Sequence, residues 1–392
     1  MRQERINQHA RFKHTIGVIG HAVHWIGPDG TPWSYEPYVR EMRVWADLFS
    51  FINICSPAGD GPMEGHQAPY LRENLHWRPV RYSASCGYHA AVKRMIQLPG
   101  LTRAAAQTIK ENDFILLRSP GHFGLVGAAL VRLMRRPSLT KWAGENGPYK
   151  GERLPSRIER LLQSKPNNLH PVLVYGDEKK PHQVSFMPAL MTSEELDQAR
   201  TLSRSKSWNG SFRMLSVGVL EPVKGFDLAV KALGQLRVAH PELNWTYTVI
   251  GDGSMKRDLE ALACESGIAD RTVFTGALPF SEVQKHYALS HLAIMPGTKE
   301  GWPKVIAEAW AHGTIPVAAA AGLVPSILKD ENAGVLFDPT PDALANALYC
   351  LAFTRDRMQE ISHSLQHKAE QMSMDSFRVN LEKVLIERCG LT

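Results

Sequence analysis

Two glutamates eight residues apart, Glu300 and Glu308, are the residues of this chain best placed to bind a polar ligand. They lie in the segment 296–318, which reads PGTKEGWPKVIAEAWAHGTIPVA. One apolar run precedes this segment and another closes it, so the pattern predicts a strand, a turn, a helix of about ten residues ended by Gly313, and a second strand. If the helix begins near Glu300, a rise of about 1.5 Å per residue separates the two carboxylates by roughly 12 Å.

A helix N-terminus between two carboxylates suits a ligand that carries both hydroxyl groups and phosphates. The N–H groups of the first turn and the positive end of the helix dipole favour a diphosphate. We interpret Glu300 as a ligand for the hydroxyls of a hexose and Glu308 as a ligand for those of a ribose. Two glutamates at this spacing also occur by chance on solvated helix faces, so the interpretation depends on the rest of the chain.

A lysine occurs at the end of another predicted strand. The apolar run 212–220 is followed by the turn EPVKG, which contains Lys224, and then by the helical pattern 226–240. In an open parallel sheet the strand-to-helix turns lie at the carboxyl edge, where ligands bind. Lys224 is therefore predicted to meet the diphosphate as a point charge. The alternative is an ordinary surface lysine in a loop.

The elements that would position these residues alternate along the whole chain. Short, continuous apolar runs separated by helical patterns are typical of parallel sheets covered by helices on both faces. Such runs occur at 14–21, 49–55, 113–119, 137–143, 170–176, 182–188, 212–220, 245–251, 271–278, 291–297, 314–321 and 333–339. Two sets of six predict an α/β protein with two Rossmann-like domains that face each other, and the polar, Ser-rich stretch 192–211 between the sets is the predicted boundary.

The segment Glu300–Glu308, together with Lys224 and the glycine that follows it, resembles the signature of the retaining GT-B glycosyltransferases of family 4. The resemblance implies the GT-B fold, with an acceptor domain at 1–195, a linker at 196–211, a nucleotide-sugar donor domain at 212–370, and a C-terminal crossover helix at 371–392 that returns to the first domain.

The activity that the resemblance implies is the transfer of a sugar from a nucleotide-diphosphate-sugar donor to an acceptor hydroxyl. The acceptor would be a glycan or a glycolipid, the anomeric configuration would be retained, and neither a cofactor nor a divalent metal would be required. Polysaccharide, glycolipid or glycoconjugate assembly is the expected setting.

The same resemblance assigns roles to individual residues. Glu300, Lys224 and His122 take the catalytic positions, His122 because it follows the apolar run 113–119 in the turn PGHFG. The donor-binding positions lie in the Glu300–Glu308 segment, in the GDG turn after 245–251, after the VFTG strand, and in a loop after the first strand. They are Gly301, Trp302, Pro303, Lys304, Val305, Glu308, Gly253, Ala277, Leu278, Gly27 and Gly30.

Two positions depart from the family pattern. Val219 stands where the family usually has an arginine, which removes one of two cations near the leaving diphosphate, and Pro303 stands where a glycine is common. Two alternatives therefore remain open. One is a nucleotide-sugar epimerase of the same fold, and the other is a binding protein without turnover.

Composition excludes several other classes. The chain has 392 residues, 44% of them hydrophobic, five scattered cysteines and a formal charge of +6. These features favour a cytoplasmic globular protein without a structural zinc site. The N-terminus has no apolar signal sequence and no apolar run is long enough to span a membrane. Nine Lys and Arg residues against three Glu in 132–165 predict either a solvated basic face or peripheral contact with an anionic membrane surface, whereas no nucleic-acid motif accompanies them.

Overall fold

The computed structural model of the chain forms two compact units. The first consists of Met1–Phe186 with Arg378–Thr392, and the second of Met187–Phe377. The residues that the structure describes are 6–59, 67–82, 88–144, 147–148, 152, 154–164, 169–298 and 302–392, with the backbone alone for 88–91.

A parallel sheet of seven strands forms the centre of the first unit. In spatial order the strands are β10 (Gln183–Ser185), β9 (Val172–Val174), β8 (Ser138–Trp142), β7 (Phe114–Ser119), β1 (Phe12–Ile19), β4 (Phe49–Pro57) and β6 (Leu75–Val80). Every neighbouring pair is parallel. The chain extends the sheet on one side of β1 with β4 and β6 and on the other side with β7 to β10, which is the doubly wound order of a Rossmann-like unit.

Helices and a small antiparallel sheet complete the first unit. The helices are α1 (Glu36–Leu48), α2 (Tyr88–Glu111), α3 (His122–Leu133) and α4 (Leu154–Gln163), and the small sheet contains β2 (His24–Ile26), β3 (Pro32–Tyr35) and β5 (Gln67–Pro69). α1 forms because apolar residues recur at helical spacing, so that Tyr38, Met42 and Trp45 are buried on one face. All nine residues of β4 are buried, as expected for a strand covered on both faces.

The second unit contains a parallel sheet of six strands. In spatial order they are β13 (Thr272–Gly276), β12 (Trp245–Ile250), β11 (Phe212–Val217), β14 (Leu292–Met295), β15 (Ile315–Ala319) and β16 (Val335–Phe337). Again every neighbouring pair is parallel. The order confirms the predicted pair of Rossmann-like α/β units with parallel sheets.

Nine helices accompany this second sheet in the described part of the chain. They are α5 (Ser193–Ser203), α6 (Phe226–Ala239), α7 (Lys256–Glu265), α8 (Phe280–Leu289), α9 (Lys304–Ala311), α10 (Val324–Ile327), α11 (Pro341–Ala352), α12 (Arg355–Glu370) and α13 (Met374–Glu387). α13 begins in the second unit and continues into residues of the first. The core of the second unit contains large side chains such as Trp245, Tyr247 and Trp310.

The residues predicted to form a linker, 196–211, include most of α5. Thr192 caps this helix through a reciprocal pair of hydrogen bonds with Glu195, and Leu196 and Ala199 are buried in the core of the second unit. The chain therefore enters the second unit earlier than its polar composition indicated.

The cations of 132–165 do not all lie on a basic surface. Lys141 is buried and paired with Glu41, and Arg160 binds Glu152 through two nitrogens at 2.7 and 2.8 Å. Arg132 donates to the carbonyl oxygen of Leu162 at the end of α4. Part of the local charge excess is therefore structural. In the residues that the structure describes, no helix is both long enough and apolar enough to cross a bilayer.

Candidate functional site

The order of the strands in the second sheet defines where a ligand can bind. The direction in which the chain adds strands reverses between β11 and β14. In open α/β sheets ligands bind beside the carboxyl ends of the two strands at such a switch point. Lys224 follows β11, and the segment 296–303 joins β14 to α9. The two motifs that the sequence analysis singled out for donor binding therefore reach the same switch point.

The turn that carries Lys224 packs closely against the end of β14. Lys224 ends a short 3-10 turn, Pro222–Lys224, and Gly225 follows in the left-handed conformation with φ of +66°. A Cβ atom at Gly225 would lie 2.8 Å from the carbonyl oxygen of Pro296. Only glycine fits both this conformation and this close approach. The backbone beside Lys224 is thus held against the start of the segment that leads into α9.

The GDG turn after β12 packs against the same Lys224 turn. The N–H of Leu220 donates to the carbonyl of Asp252 at 2.9 Å, and the N–H of Met255 donates to the carbonyl of Leu220 at 3.0 Å. A Cβ at Gly253, whose φ is +156°, would lie 2.6 Å from the carbonyl oxygen of Leu220. Gly253 therefore serves the packing of two neighbouring turns at the site, and its contact with the donor stays a prediction.

α9 begins later than the sequence pattern indicated. Its first residue is Lys304, and Pro303 precedes it as the N-cap residue. The separation of roughly 12 Å assumed a helix that begins near Glu300, so that value does not hold. Glu300 and Gly301 lie outside the described residues. Gly313 has φ of +57° just beyond the helix, as predicted from its position.

The first turn of α9 brings the other predicted residues together. Trp302 packs against the core of the second unit, whereas Val305 packs against a smaller cluster that also contacts Leu278. Lys304 and Val305 contribute N–H groups of the first turn, which have no acceptor within a helix. Ala277 and Leu278 follow the carboxyl end of β13. Their proposed contact with a nucleobase stays a prediction.

Glu308 lies one turn into α9 and is held by a tyrosine from α8. The hydroxyl of Tyr287 donates to Oε2 of Glu308 at 3.0 Å, and among the described residues no hydrogen bond is found to Oε1. Burial raises the pKa of the half-buried Glu308 carboxyl, against the lowering effects of this hydrogen bond and of the Lys304 charge. Tyr287 was not identified from the sequence, since nothing in its local pattern distinguishes it from a core tyrosine.

The first sheet has its own switch point, between β1 and β7. His21 follows β1, and His122 is the first residue of α3, after the turn that follows β7. A Cβ at Gly121 would lie 3.2 Å from Nδ1 of His21, so the two turns are adjacent. His122 is half-buried, with its ring centre 5.8 Å from that of Tyr82. His21 was not among the predicted site residues, although it lies beside the turn that carries His122.

The fully buried carboxylate of Glu159 stabilises the turn that carries His122. Oε2 of Glu159, in α4, accepts the N–H of Gly121 at 2.8 Å. A Cβ at Gly124 would lie only 2.2 Å from Oε1 of the same side chain. Burial raises the pKa of Glu159 to about 7, more than the Gly121 hydrogen bond lowers it.

This carboxyl makes stability depend on pH in a direction unusual for an acid. Between its ordinary pKa of 4.5 and the folded value of about 7, the native state binds the proton more tightly than the unfolded chain does. Stability should therefore fall as pH rises through this window. The Glu159→Gln variant should lose this dependence. Between pH 4.5 and 8 its free energy of unfolding should therefore rise by about 3 kcal/mol relative to that of the parent. Urea unfolding of both proteins at several pH values measures the difference, and parallel pH profiles would contradict it.

A buried group of charges lies near the carboxyl ends of β7 and β8. Oε1 of Glu41 accepts from Arg118 at 2.6 Å, and Oε2 accepts from Lys141 at 2.7 Å. Although burial opposes ionisation, the two cations together lower the pKa of Glu41 to about 2. The Arg118 guanidinium also lies over the ring of Tyr38, 4.6 Å from its centre. This group fixes α1 to the sheet beside the first switch point.

The glycines of the loop after β1 belong to a hairpin of the small antiparallel sheet. The N–H of Gly27 donates to the carbonyl of Thr31 at 2.8 Å, and the N–H of Gly30 donates to the carbonyl of Gly27 at 3.0 Å. Both amides are thus engaged in the turn, and Gly30 is needed there for its φ of +79°. The predicted approach of these two glycines to the donor phosphate stays a prediction.

His24, three residues after His21, is buried and hydrogen-bonded within the protein. Its Nδ1 lies 2.7 Å from Oγ of Ser56, and its Nε2 lies 3.0 Å from the hydroxyl of Tyr70. Burial lowers the pKa of His24 to about 4. The two ring nitrogens therefore connect β4 of the seven-stranded sheet with Tyr70, which follows β5 of the small sheet.

The region that contains Lys224 and Glu308 matches the model of a known protein family. Residues 198–369 match the family model described as Glycosyl transferases group 1. HepE of Anabaena, solved with UDP and glucose, superposes with a TM-score of 0.63 over 96% of this chain and 100% of that chain, at 17% identity. This likeness shows the fold, which is that of the GT-B glycosyltransferases.

Curated relatives match the chain over a shorter stretch. The D-inositol 3-phosphate glycosyltransferase of Acidothermus cellulolyticus is 33% identical over 132 residues, which are 32% of this chain and 30% of the relative. A GDP-mannose-dependent alpha-(1-6)-phosphatidylinositol monomannoside mannosyltransferase of Mycolicibacterium smegmatis is 31% identical over 137 residues, 33% of this chain and 35% of the relative. The matched stretch thus spans about a third of the length of these relatives.

Proposed function

We propose that the protein is a retaining glycosyltransferase that moves a sugar from a nucleotide-diphosphate-sugar to a hydroxyl of a glycan or glycolipid acceptor. The observation that carries the proposal is the meeting of the Lys224 turn and the approach to α9 at one switch point, with Gly225 packed on Pro296. A cation and a helix N-terminus at that place suit a diphosphate, and Glu308 one turn further suits a pair of ribose hydroxyls.

The proposed mechanism stabilises the charge that develops on the departing diphosphate. Positive groups fixed before the reaction are effective because they need no reorganisation in the transition state. Lys224 and the N–H groups at the start of α9 take this role. Glu308 orients the nucleotide through the oxygen that Tyr287 does not occupy. Glu300 is proposed to bind the hydroxyls of the transferred sugar, and His122, at the switch point of the first sheet, is proposed as a catalytic residue.

A specific observation also favours a second candidate, a nucleotide-sugar-binding protein without turnover. Val219 occupies the place of the family's arginine at the end of β11, and 58% of its surface is exposed. No second cation therefore extends from this position. Turnover separates the two candidates, since a binding protein would be stabilised by a donor but would release no nucleoside diphosphate.

The nucleotide site can be tested through Glu308. A thermal-shift screen against UDP-, GDP-, ADP- and dTDP-sugars first identifies the donor, because a ligand that binds only the native state raises the melting temperature. Calorimetry with that donor should then show about tenfold weaker binding for Glu308→Ala, the cost of roughly one lost charged hydrogen bond.

A matched control is Glu282→Ala, an exposed glutamate of α8 that is paired with Lys285. This control variant should bind the donor as the parent does. No stabilisation by any donor of the panel, or equal affinity of Glu308→Ala and the parent, would contradict the proposed site. The transfer reaction itself is tested by release of the nucleoside diphosphate in the presence of saccharide and glycolipid acceptors, and formation of a sugar isomer without any acceptor would instead indicate an epimerase.

A further inference from the structure

The first half of α2 buries none of its described side chains. Every residue from 92 to 100 is exposed or half-buried. In the second half of the same helix, by contrast, Leu101, Ala105 and Ile109 are fully buried against α3 and the sheet. Packing among the described residues of the first unit therefore accounts for the second half of α2 and does not account for the first half.

Apolar residues nevertheless follow a helical period along this first half. Val92, Met95, Ile96 and Pro99 stand at positions i, i+3, i+4 and i+7, which share one helix face. Met95 is 74% exposed and Ile96 is 75% exposed. A stripe of this kind on a soluble helix normally faces a core. We call these four residues the α2 stripe.

The charges around the α2 stripe have one sign. From residue 88 to residue 110 the sequence contains four Lys and Arg residues and neither Asp nor Glu. Lys93 and Arg103 are exposed, and Arg94 is half-buried. A second copy of this chain is a poor partner for the stripe, since a symmetric contact would bring these cations together. An apolar face with flanking cations and without acids instead fits an anionic lipid surface.

We propose that the first half of α2 binds the surface of an anionic bilayer, with the α2 stripe inserted at the level of the headgroups and Lys93 and Arg103 beside the lipid phosphates. The helix lies in the plane of the surface and does not cross it. This proposal does not depend on the proposed sugar transfer. If both hold, the acceptor is a lipid-linked one that stays in the membrane while the protein binds beside it.

The experiment is co-sedimentation of the full chain with vesicles. Phosphatidylcholine vesicles with about one third phosphatidylglycerol should bind the protein at least tenfold more tightly than vesicles of phosphatidylcholine alone. Replacing Met95 and Ile96 together with serine should weaken binding to the anionic vesicles at least tenfold, because two large apolar side chains no longer leave water. Lys93→Glu should weaken binding to the anionic vesicles at least about fivefold, because it reverses a charge beside the lipid phosphates. Added salt should weaken binding of the parent to the same vesicles.

The matched control replaces two equally exposed apolar residues elsewhere. Val238 on α6 is 82% exposed and Val379 on α13 is 67% exposed, and the double serine variant should bind vesicles as the parent does. Circular dichroism should show the parent's helix content in every variant, since none of these side chains is buried. Equal binding to both kinds of vesicle, or equal loss in the control and in the Met95/Ile96 variant, would overturn the proposal. The proposal would also be overturned if the parent self-associates without binding vesicles and the Met95/Ile96 replacement abolishes that self-association.

Discussion

Replacing Lys224 with alanine should lower the turnover number for sugar transfer by about a hundred- to a thousandfold. Lys224 lies in the turn that follows the carboxyl end of β11, where the diphosphate leaves in the proposed reaction, and the negative charge on that group grows in the transition state. Loss of one fixed donor at such a place typically has an effect of this size. With Val219 in place of an arginine, no side chain at that position can replace the lost charge, so the effect should lie toward the upper end.

The measurement is the steady-state release of nucleoside diphosphate with the donor that the thermal-shift screen identifies. Lys231→Ala is the matched control, because Lys231 lies in the helix that follows, is exposed, and pairs only weakly with Asp227 at 3.1 Å. Lys224→Arg should recover part of the rate, since it restores a cation whose planar guanidinium has a different geometry from the compact ammonium of lysine. If the turnover number of Lys224→Ala lies within threefold of that of the parent, the diphosphate does not bind beside Lys224 as proposed.

Much of the fold follows from the sequence because parallel strands have a strong local signature. Each predicted apolar run contains a strand, and β4 shows why, since a strand buried on both faces must be apolar throughout. β6 was not predicted because it lacks this continuous apolar signature. It lies at an edge of the first sheet and alternates buried Leu75 and Trp77 with the polar His76 and Arg78, and its Pro79 is tolerated only at an edge or an irregularity.

The candidate site was predictable where its chemistry lies in turns. Lys224 with Gly225, and the segment that leads into α9, each follow a strand of the second sheet, so a rule about sheet topology is enough to bring them together. Tyr287 and Glu159 were not predictable. Each acts through a contact with a residue that is distant in the chain, Glu308 in one case and Gly121 in the other. Such pairs depend on how helices pack on the sheet, which a single sequence does not specify.

The largest effect on stability should come from Glu41, another residue that the sequence did not single out. Its partners Arg118 and Lys141 lie 77 and 100 residues away, and Glu41 and Lys141 are only 6% and 4% exposed. Glu41→Ala would leave two cations without their shared carboxylate in the interior. Breaking a buried pair in this way typically costs about 3–5 kcal/mol, because the remaining charge has lost both water and its partner.

Urea unfolding of Glu41→Ala should therefore show a loss of at least about 3 kcal/mol, whereas Glu36→Ala on the same helix should lose less than about 1 kcal/mol. Glu36 is the matched control because its pair with Arg40 is partly exposed. Adding Lys141→Met to Glu41→Ala should return part of the stability, since one of the two buried cations that have lost the Glu41 carboxylate is then removed. Because the folded pKa of Glu41 is about 2, below its ordinary value, its contribution is present above the ordinary value and is lost only as pH falls toward 2. The loss should thus stay constant from pH 6 to pH 8, where Glu159 changes its protonation. A loss in Glu41→Ala no larger than in Glu36→Ala would show that the buried charges do not fix α1 to the sheet.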